Sequence, residues 1–283
     1  MAYVLGVVGG SGIYALDGLE DVESIELDTP FGAPSSSVVS GRLGETQLLF
    51  LPRHGRHHHV PPHQINYRAN VCALKKLGAT HLVSLSAVGS MREEIVPGQV
   101  VIVDQYIDLT KRRIQTFFED GVVGHVGLAD PVCPKLAAAL SEASRRAGAV
   151  VHDSGTYVCI EGPQFSTRAE SLLYRSWGVS VIGMTAMPEA RLAREAELPY
   201  ATLALATDYD CWHEVEEDVS VHNVLAVMRA NSDLAKRTVV ELCKLLPPPE
   251  QSPAYGAAQH ALLTAKDHIP QAVKSRLSWL FGS

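Results

Sequence analysis

Apolar and polar positions along the chain alternate between short apolar runs and longer amphipathic stretches. Continuous runs rich in Val, Ile and Leu are typical of strands that are buried on both faces of a sheet. Six such runs predict the strands of a central sheet, at 3–8, 47–51, 80–86, 99–104, 179–184 and 200–207.

Helical patterns separate several of these runs, and three of the patterns stop at a glycine, which is typical of a left-handed C-terminal cap. Pro188 suits the first turn of a helix, and Ser220 suits the N-cap of a long one. The alternation of strands and helices favours an α/β fold with a central sheet. The predicted helices cover 63–77, 134–147, 167–177, 188–197 and 220–246.

One long connection, residues 108–133, has little regular pattern. Loops of this length inside compact domains tend to be functional or disordered. Phe117 and Phe118 argue against full disorder, because disordered segments contain few aromatic residues. A functional loop is therefore favoured over a fully disordered one.

The end of the chain is set apart by the sequence LLPPPEQSP at 245–253. After it, residues 256–281 are predicted to be helical, with an interruption at Pro270. We expect one large domain, 1–246, followed by a C-terminal linker and helical tail, 247–283. The tail is expected to pack on the body or on a neighbouring subunit.

Composition is that of an ordinary globular protein, since 46% of the 283 residues are hydrophobic and 19% are charged. The net charge of −7 gives no general attraction to nucleic acid or to anionic membranes, so an anionic ligand requires a local basic pocket. No apolar run reaches membrane-spanning length, and the first residues lack the basic region of a secretion signal. We therefore expect a cytoplasmic protein.

A histidine-rich segment follows the second predicted strand. Imidazole binds zinc and also hydrogen-bonds to anions and sugars, so the residue type leaves both open. His54 with His58, and His59 with His63, have the i, i+4 spacing of a helical metal-binding pair, but the prolines at 61 and 62 break any helix across the second pair. No acidic residue lies among the histidines, so an anion or sugar site is favoured over a metal site or a structural loop. The segment contains Arg53, His54, His57, His58, His59 and His63.

Two glycine-containing turns follow predicted strands. GGSG at 9–12 lets backbone amides approach an anion, and the Ser11 hydroxyl adds a donor. In LVSLSAVGSMREE at 82–94, Ser86 and the Ala87 amide are placed to form a second wall of the same site. Ordinary tight turns remain the alternative for both.

The sequence YATLALATDYDCW at 200–212 ends an apolar strand in two carboxylates. Period-two alternation points Asp208 and Asp210 to the same side, about 6 to 7 Å apart. Such acids are costly to bury unless they meet donors, so a metal ion, an arginine or the edge of a purine base are the options. With a purine, one carboxyl gives a proton to N7 and the other accepts from an exocyclic amine.

Phe165 precedes a helix whose start is explained by a capping box of Thr167 and Glu170. The phenylalanine lies outside the position that would pack on this helix, and is therefore free to stack on a flat ring. Packing in the core is the alternative.

Seven segments then occur in this order: GGSG (9–12), TPFG (29–32), RHGRHH (53–58), SAVGSMREEI (86–95), IEGPQFSTRAE (160–170), MTAMPEARLA (184–193) and ATDYDCW (206–212). The set closely resembles the 5′-methylthioadenosine phosphorylases of the purine nucleoside phosphorylase family, over residues 3–246. The resemblance implies a three-layer α/β/α subunit with a central mixed β-sheet, assembled as a homotrimer or hexamer. It implies reversible phosphorolysis of 5′-methylthioadenosine to adenine and 5-methylthioribose 1-phosphate, with phosphate as co-substrate and no metal or cofactor.

The resemblance also assigns roles by position. Asp208 would protonate N7, Asp210 would face the 6-amino group, and Phe165, followed by Ser166, would pack on the base. Met184 would lie under the ribose, His58 near the phosphate and ribose, and His125 would reach a neighbour's site. The phosphate would be bound by Ser11, Arg53, His54, Ser86, Ala87 and Thr185. The methylthio pocket would be lined by Val221, Val224 and Leu225.

Substrate choice within the family follows from a few positions. Ser166, the two aspartates and the valines of the 5′ region favour an aminopurine with an apolar 5′ substituent, because a buried polar group rejects a ligand that leaves it unpaired. Gly183 departs from this pattern, since methylthioadenosine phosphorylases commonly have asparagine there. A purine nucleoside phosphorylase acting on inosine, guanosine or adenosine is therefore the alternative. A hydrolytic nucleosidase and a noncatalytic nucleoside-binding module are more remote candidates.

Overall fold

A computed structural model describes residues 3–10, 16, 18–213 and 221–281, and for 221–226 it describes only the backbone. The strands are β1 Val4–Gly9, β2 Glu20–Ile25, β3 Val38–Leu43, β4 Thr46–Pro52, β5 His81–Ser90, β6 Val100–Val103, β7 Gln105–Asp108, β8 Val151–His152, β9 Thr156–Cys159, β10 Val181–Gly183 and β11 Tyr200–Tyr209. The helices are α1 Tyr67–Lys76, α2 Pro134–Arg146, α3 Arg168–Ser176, α4 Glu189–Glu195, α5 Val221–Leu242, α6 Gln271–Arg276 and α7 Ser278–Phe281, with 3₁₀ turns at Pro62–Gln64 and Pro249–Gln251.

All of these strands join one mixed sheet with the order β2-β3-β4-β1-β5-β10-β9-β7. The sheet forks at β5, which also pairs with β11, and β11 leads through β6 to β8. The neighbours β4, β1, β5 and β11 are parallel to one another, whereas the short strand β10 meets the end of β5 in antiparallel orientation. The carboxyl ends of four parallel strands therefore open on the same edge of the sheet.

Helices cover both faces of the sheet, which confirms the three-layer α/β/α prediction. On β4, Leu49 and Leu51 pack with α1 and α4, while Leu48 and Phe50 pack with α2 and α5. Successive side chains of a strand point to opposite faces, so both faces are buried and the run is apolar throughout.

All six predicted strands are present, and the sequence analysis missed five others. β2 has the sequence EDVESI and lies exposed at the edge of the sheet, so it needs no apolar run. β8 and β9 have only two and four residues, too few for a periodic pattern to be detected. Short length explains the misses of β7, β8 and β9, and edge position that of β2. β3 has the sequence VVSGRL, in which Ser40, Gly41 and Arg42 interrupt the apolar run.

The predicted helices are present with shorter bounds. α1 begins at Tyr67 because the Asn66 side chain accepts a hydrogen bond from the Ala69 amide and caps the helix. α5 covers Val221–Leu242, and its predicted cap, Ser220, lies outside the described residues. No helix in the described ranges is long and apolar enough to cross a membrane.

The prediction of a helix over 256–269 is wrong. Its backbone groups hydrogen-bond outside the segment: Ala261 O accepts from the His125 amide at 2.9 Å, and the Leu263 amide donates to Val123 O at 2.9 Å. Glu197 also accepts from the Ala258 amide at 2.9 Å. A helix would need these groups for its own ladder, so the tertiary contacts prevail over local propensity.

The tail packs against the long loop of the same chain. Its side chains Val273 and Leu277 are buried in the core that contains Phe117 and Phe118 of the loop. Arg276 donates to an Asp120 carboxylate oxygen at 2.6 Å. The loop has no strand or helix between 109 and 133, as predicted, and is ordered by these contacts.

We expect Leu277→Ala to lower the free energy of unfolding by about 2–5 kcal/mol, because it leaves a cavity at a leucine that is only 1% exposed. The matched control is Leu263→Ala in the same tail, where the side chain is 70% exposed and a change within about 0.5 kcal/mol is expected. Denaturant unfolding at fixed protein concentration measures both. Equal losses in the two variants would show that the tail is not docked in this way.

Candidate active site

The predicted site residues Arg53 and His54 follow β4 directly, at the edge where the parallel strands end. Arg53 is only 2% exposed. Its Nη1 donates to Leu85 O at 2.9 Å, and its Nη2 lies 3.0 Å from Val8 O and 2.7 Å from Ser84 Oγ. The guanidinium therefore spans β1, β4 and β5 beneath the edge of the sheet.

Glu189 is the ion-pair partner of Arg53, and the sequence analysis missed it. Its Oε1 lies 3.2 Å from Arg53 Nη2 and accepts from the Tyr200 hydroxyl at 3.0 Å. Burial by itself lowers the pKa of Arg53, but the charge and hydrogen bond of Glu189, together with the nearby Tyr200 and Tyr67, hold the pKa above its ordinary value. The only feature of the sequence that could have indicated Glu189 was an acidic residue in the first turn of a helix that follows a largely apolar segment.

His54 is buried and neutral near pH 7. Burial, and secondly the charge of Arg53, lower the pKa of His54 to about 4. Its Nδ1 donates to Val60 O at 2.9 Å, because a carbonyl can only accept. In the neutral ring Nε2 then carries a lone pair. His58 is exposed, has a positive φ of 52°, and stacks on His54 with ring centroids 4.4 Å apart.

Three buried hydroxyl groups, those of Ser86, Tyr157 and Thr185, lie close to one another. Ser86 Oγ is 3.1 Å from the hydroxyl oxygen of Tyr157 and 3.3 Å from Thr185 Oγ1. Ser86 is on β5, Tyr157 is on β9 and Thr185 follows β10, so the fork of the sheet assembles them. Ala87 is the next residue of β5 and is exposed. Tyr157 was not predicted, because a tyrosine in a short strand resembles an ordinary core residue.

The two aspartates at the end of β11 lie side by side. A Cβ placed on Gly89 would be 3.2 Å from Asp208 Oδ1 and 3.3 Å from Asp210 Cβ. The pairing of β11 with β5 shifts register between Ala206 and Asp208, a bulge that re-aims the strand end. Asp208 Oδ2 accepts from the Thr207 hydroxyl at 2.6 Å.

Asp210 connects this acid pair to the segment that contains Phe165. The carboxylate is buried and accepts a hydrogen bond from the Ser171 hydroxyl of α3. The Cys211 thiol donates to Ser166 O at 3.4 Å. Phe165 is 85% exposed, so the alternative of core packing is wrong. Ser166 Oγ is buried and has no hydrogen-bond partner among the described residues.

Arg113, from the long loop, holds Met184 next to this segment. Its guanidinium donates to Met184 O at 2.7 Å and to Glu161 O at 2.7 Å. It also forms an ion pair with the Glu161 carboxylate at 3.0 Å. Met184 Sδ in turn lies against Gly162, where a Cβ would not fit. The sequence analysis expected the long loop to be functional but did not single out Arg113.

The remaining predicted site residues are His125 and four that lie wholly or partly outside the described structure. His125 is exposed, and its amide pairs with the tail. Ser11 lies outside the described residues, as do the side chains of Val221, Val224 and Leu225. Within the described part of the chain, no three His, Cys, Asp or Glu side chains cluster as metal ligands.

The fold and this edge define a class of protein. A mixed sheet covered by helices on both faces is the fold of the nucleoside phosphorylases, and in this chain a buried arginine, buried hydroxyls and an acid pair lie at the ends of its strands. The family described as the phosphorylase superfamily matches residues 4–244, and the chain belongs to it.

Relatives within this family are similar over the whole chain. An S-methyl-5′-thioadenosine phosphorylase of Geobacter sulfurreducens is 54% identical, covering 100% of this chain and 99% of its own. A crystal structure of a methylthioadenosine phosphorylase from an antarctic soil metagenomic library has a TM-score of 0.94 at 45% identity, with 99% of both chains covered. A Schistosoma mansoni adenosine/methylthioadenosine phosphorylase variant in complex with methylthioadenosine has a TM-score of 0.81 at 36% identity, covering 86% of this chain and 91% of its own.

Glu189→Gln should lower the free energy of unfolding by about 3–5 kcal/mol, because it leaves the charge of Arg53 buried without its partner. Glu142→Gln is the matched control: it breaks an exposed pair with Arg146, for which about 0–1 kcal/mol is expected. Chemical denaturation at one protein concentration compares them. A loss for Glu189→Gln no larger than that of the control would contradict the importance of the buried pair.

Proposed function

We propose that the protein catalyses the reversible phosphorolysis of 5′-methylthioadenosine to adenine and 5-methylthioribose 1-phosphate. The observation that carries this conclusion is the 54% identity, over the full length of both chains, to a relative named S-methyl-5′-thioadenosine phosphorylase. The arrangement of the strand edge supports it, because a buried arginine, buried hydroxyls and an acid pair belong to the same sheet and the residues that directly follow its strands.

Phosphate would bind on the side of Arg53, His54, Ser86, Ala87 and Thr185, together with Ser11. Among the described residues, Arg53 uses Nε, both Nη2 hydrogens and one Nη1 hydrogen on protein acceptors. It would therefore give phosphate one hydrogen bond and its charge, not a bidentate fork. The neutral His54 would accept from the O–H of hydrogenphosphate through Nε2. Buried hydroxyls would supply the remaining donors.

Adenine would leave from the side of Asp208 and Asp210. Attack of a phosphate oxygen on C1′ breaks the bond to the base, and the reaction passes through an oxocarbenium-like state. Asp208 would give a proton to N7 as the base departs, and Asp210 would accept from the 6-amino group. Support for these roles comes from the position of the two aspartates, which both lie beside Gly89. The exposed ring of Phe165, with Ser166 beside it, would pack on the base.

The sugar and its 5′ substituent would lie between these two sides. Met184 would support the ribose, and its placement by Arg113 favours this role. His58, stacked on His54, would lie near the phosphate and ribose. Val221, Val224 and Leu225 of α5 would form the methylthio pocket. We propose no metal or cofactor in this reaction, on the resemblance to the family, with phosphate as the co-substrate.

Assembly as a homotrimer or hexamer in the cytoplasm is part of the proposal. Exposed apolar side chains on and after α3, namely Leu172, Leu173 and Trp177, lie in the same part of the chain as Phe165 and would be covered by a neighbour. His125 would then reach the neighbour's site. We also propose that 1–246 is the phosphorylase domain and 247–283 an appended tail, since the family match ends at residue 244.

Release of adenine from 5′-methylthioadenosine tests the function directly. We expect release only when phosphate is present, with formation of an equimolar sugar phosphate, and slower turnover of inosine. Release without phosphate would make the protein a hydrolase. Faster phosphorolysis of inosine would favour the 6-oxopurine alternative, and equal use of adenosine would widen the proposed specificity.

Asp208→Ala should lower kcat by about 10²–10⁴-fold with a much smaller change in KM, because a proton donor acts in the transition state. Asp208→Asn keeps a hydrogen-bond donor toward N7 without a proton to transfer. Its kcat is therefore expected to lie between those of the parent protein and Asp208→Ala. Steady-state rates with saturating phosphate measure both. A loss confined to KM would contradict the role of Asp208 as the acid.

A further inference from the structure

Tyr157 is a buried member of the hydroxyl cluster that the proposed function uses for phosphate. Its hydroxyl oxygen is 3.1 Å from Ser86 Oγ and accepts from the Thr185 amide at 3.4 Å. Its ring packs against Tyr106, with centroids 6.0 Å apart. Tyr157 thus contacts two residues of the proposed phosphate site from the side that faces the core.

Gly183 makes room for this hydroxyl. A Cβ at position 183 would overlap the Tyr157 hydroxyl oxygen and would lie 2.6 Å from the ring carbon Cζ. Any larger residue at 183 would therefore displace the tyrosine. Gly183, which departs from the pattern of methylthioadenosine phosphorylases, therefore leaves the space that the Tyr157 hydroxyl occupies in this chain.

The role of Tyr157 follows from the number of hydroxyl protons in the cluster, one each on Ser86, Thr185 and Tyr157. A phosphate dianion presents mainly acceptors, so Ser86 and Thr185 must each direct their single hydroxyl proton toward it. The Tyr157 oxygen already accepts from the Thr185 amide, and its own proton is within reach of Ser86 Oγ. Burial raises the pKa of Tyr157 to about 12, so the hydroxyl stays protonated at neutral pH.

We propose that Tyr157 is a positioning residue for phosphate. It donates to Ser86 Oγ, so that the Ser86 and Thr185 protons both point to the bound phosphate instead of to each other. Gly183 leaves the space in which the Tyr157 hydroxyl lies. This inference rests on the proposed function, because phosphate is the ligand that the two hydroxyls would face.

The first test is Tyr157→Phe. We expect KM for phosphate to rise about tenfold, the factor that one hydrogen bond of ordinary net strength represents, while KM for the nucleoside changes less than about twofold. The matched control is Tyr106→Phe, which removes the neighbouring hydroxyl that bonds to Thr202 at 2.8 Å and leaves Ser86 and Thr185 untouched. It should leave both KM values near those of the parent protein.

The second test asks whether Tyr157 acts through Ser86. Ser86→Ala alone should raise KM for phosphate, and adding Tyr157→Phe to it should raise KM little further, because the acceptor of the tyrosine proton is already gone. The rise in Tm caused by added phosphate should shrink in parallel in the two single variants. If Tyr157→Phe does not fold, Gly183→Ala displaces the hydroxyl instead and carries the same expectations.

The outcomes separate this inference from the proposed function. Adenine release by the parent protein without phosphate would overturn the proposed function and this inference with it. Phosphate-dependent release with an unchanged KM for phosphate in Tyr157→Phe would overturn the inference alone. An equal rise in Tyr106→Phe would overturn it too, as would full additivity with Ser86→Ala.

Discussion

The ion pair between Arg53 and Glu189 is the interaction on which the site depends. It buries a guanidinium beneath the ends of the parallel strands, where an isolated charge would be very costly. Glu189 offsets that cost and connects the end of β4 to the first turn of α4. The helix layer and the sheet are therefore joined at the point where an anion would bind.

The fork at β5 brings the rest of the site together. One strand of ten residues pairs with β1, with β11 and, at its last residues, with β10. Ser86 therefore lies beside residues that follow β10, and Gly89 lies beside the acid pair of β11. The bulge after Ala206 lets β11 keep its pairing while its end carries two carboxylates. A side chain at position 89 would be crowded, because its Cβ would lie 3.0 Å from Ile182 Cγ2, 3.2 Å from Asp208 Oδ1 and 3.3 Å from Asp210 Cβ.

The long loop and the tail stabilise each other and, through Arg113, the site. Phe117 and Phe118 anchor the loop in the same core as Val273 and Leu277 of the tail. Arg113 donates hydrogen bonds to the carbonyl oxygens of Ile160, Glu161 and Met184. The tail thus contributes to the order of a loop that contacts the proposed sugar side.

The sequence by itself determined the layered α/β fold, the six apolar strands and the positions where chemistry concentrates. Apolar periodicity and chain order are local properties, and Arg53, His54, Ser86, Asp208 and Asp210 all stand next to recognisable strands. Glu189, Arg113 and Tyr157 could not be found in this way, because their partners lie tens of residues away. The conformation of 256–269 was also decided by tertiary structure: its backbone groups pair with a distant loop, and that pairing outweighs a weak helical preference.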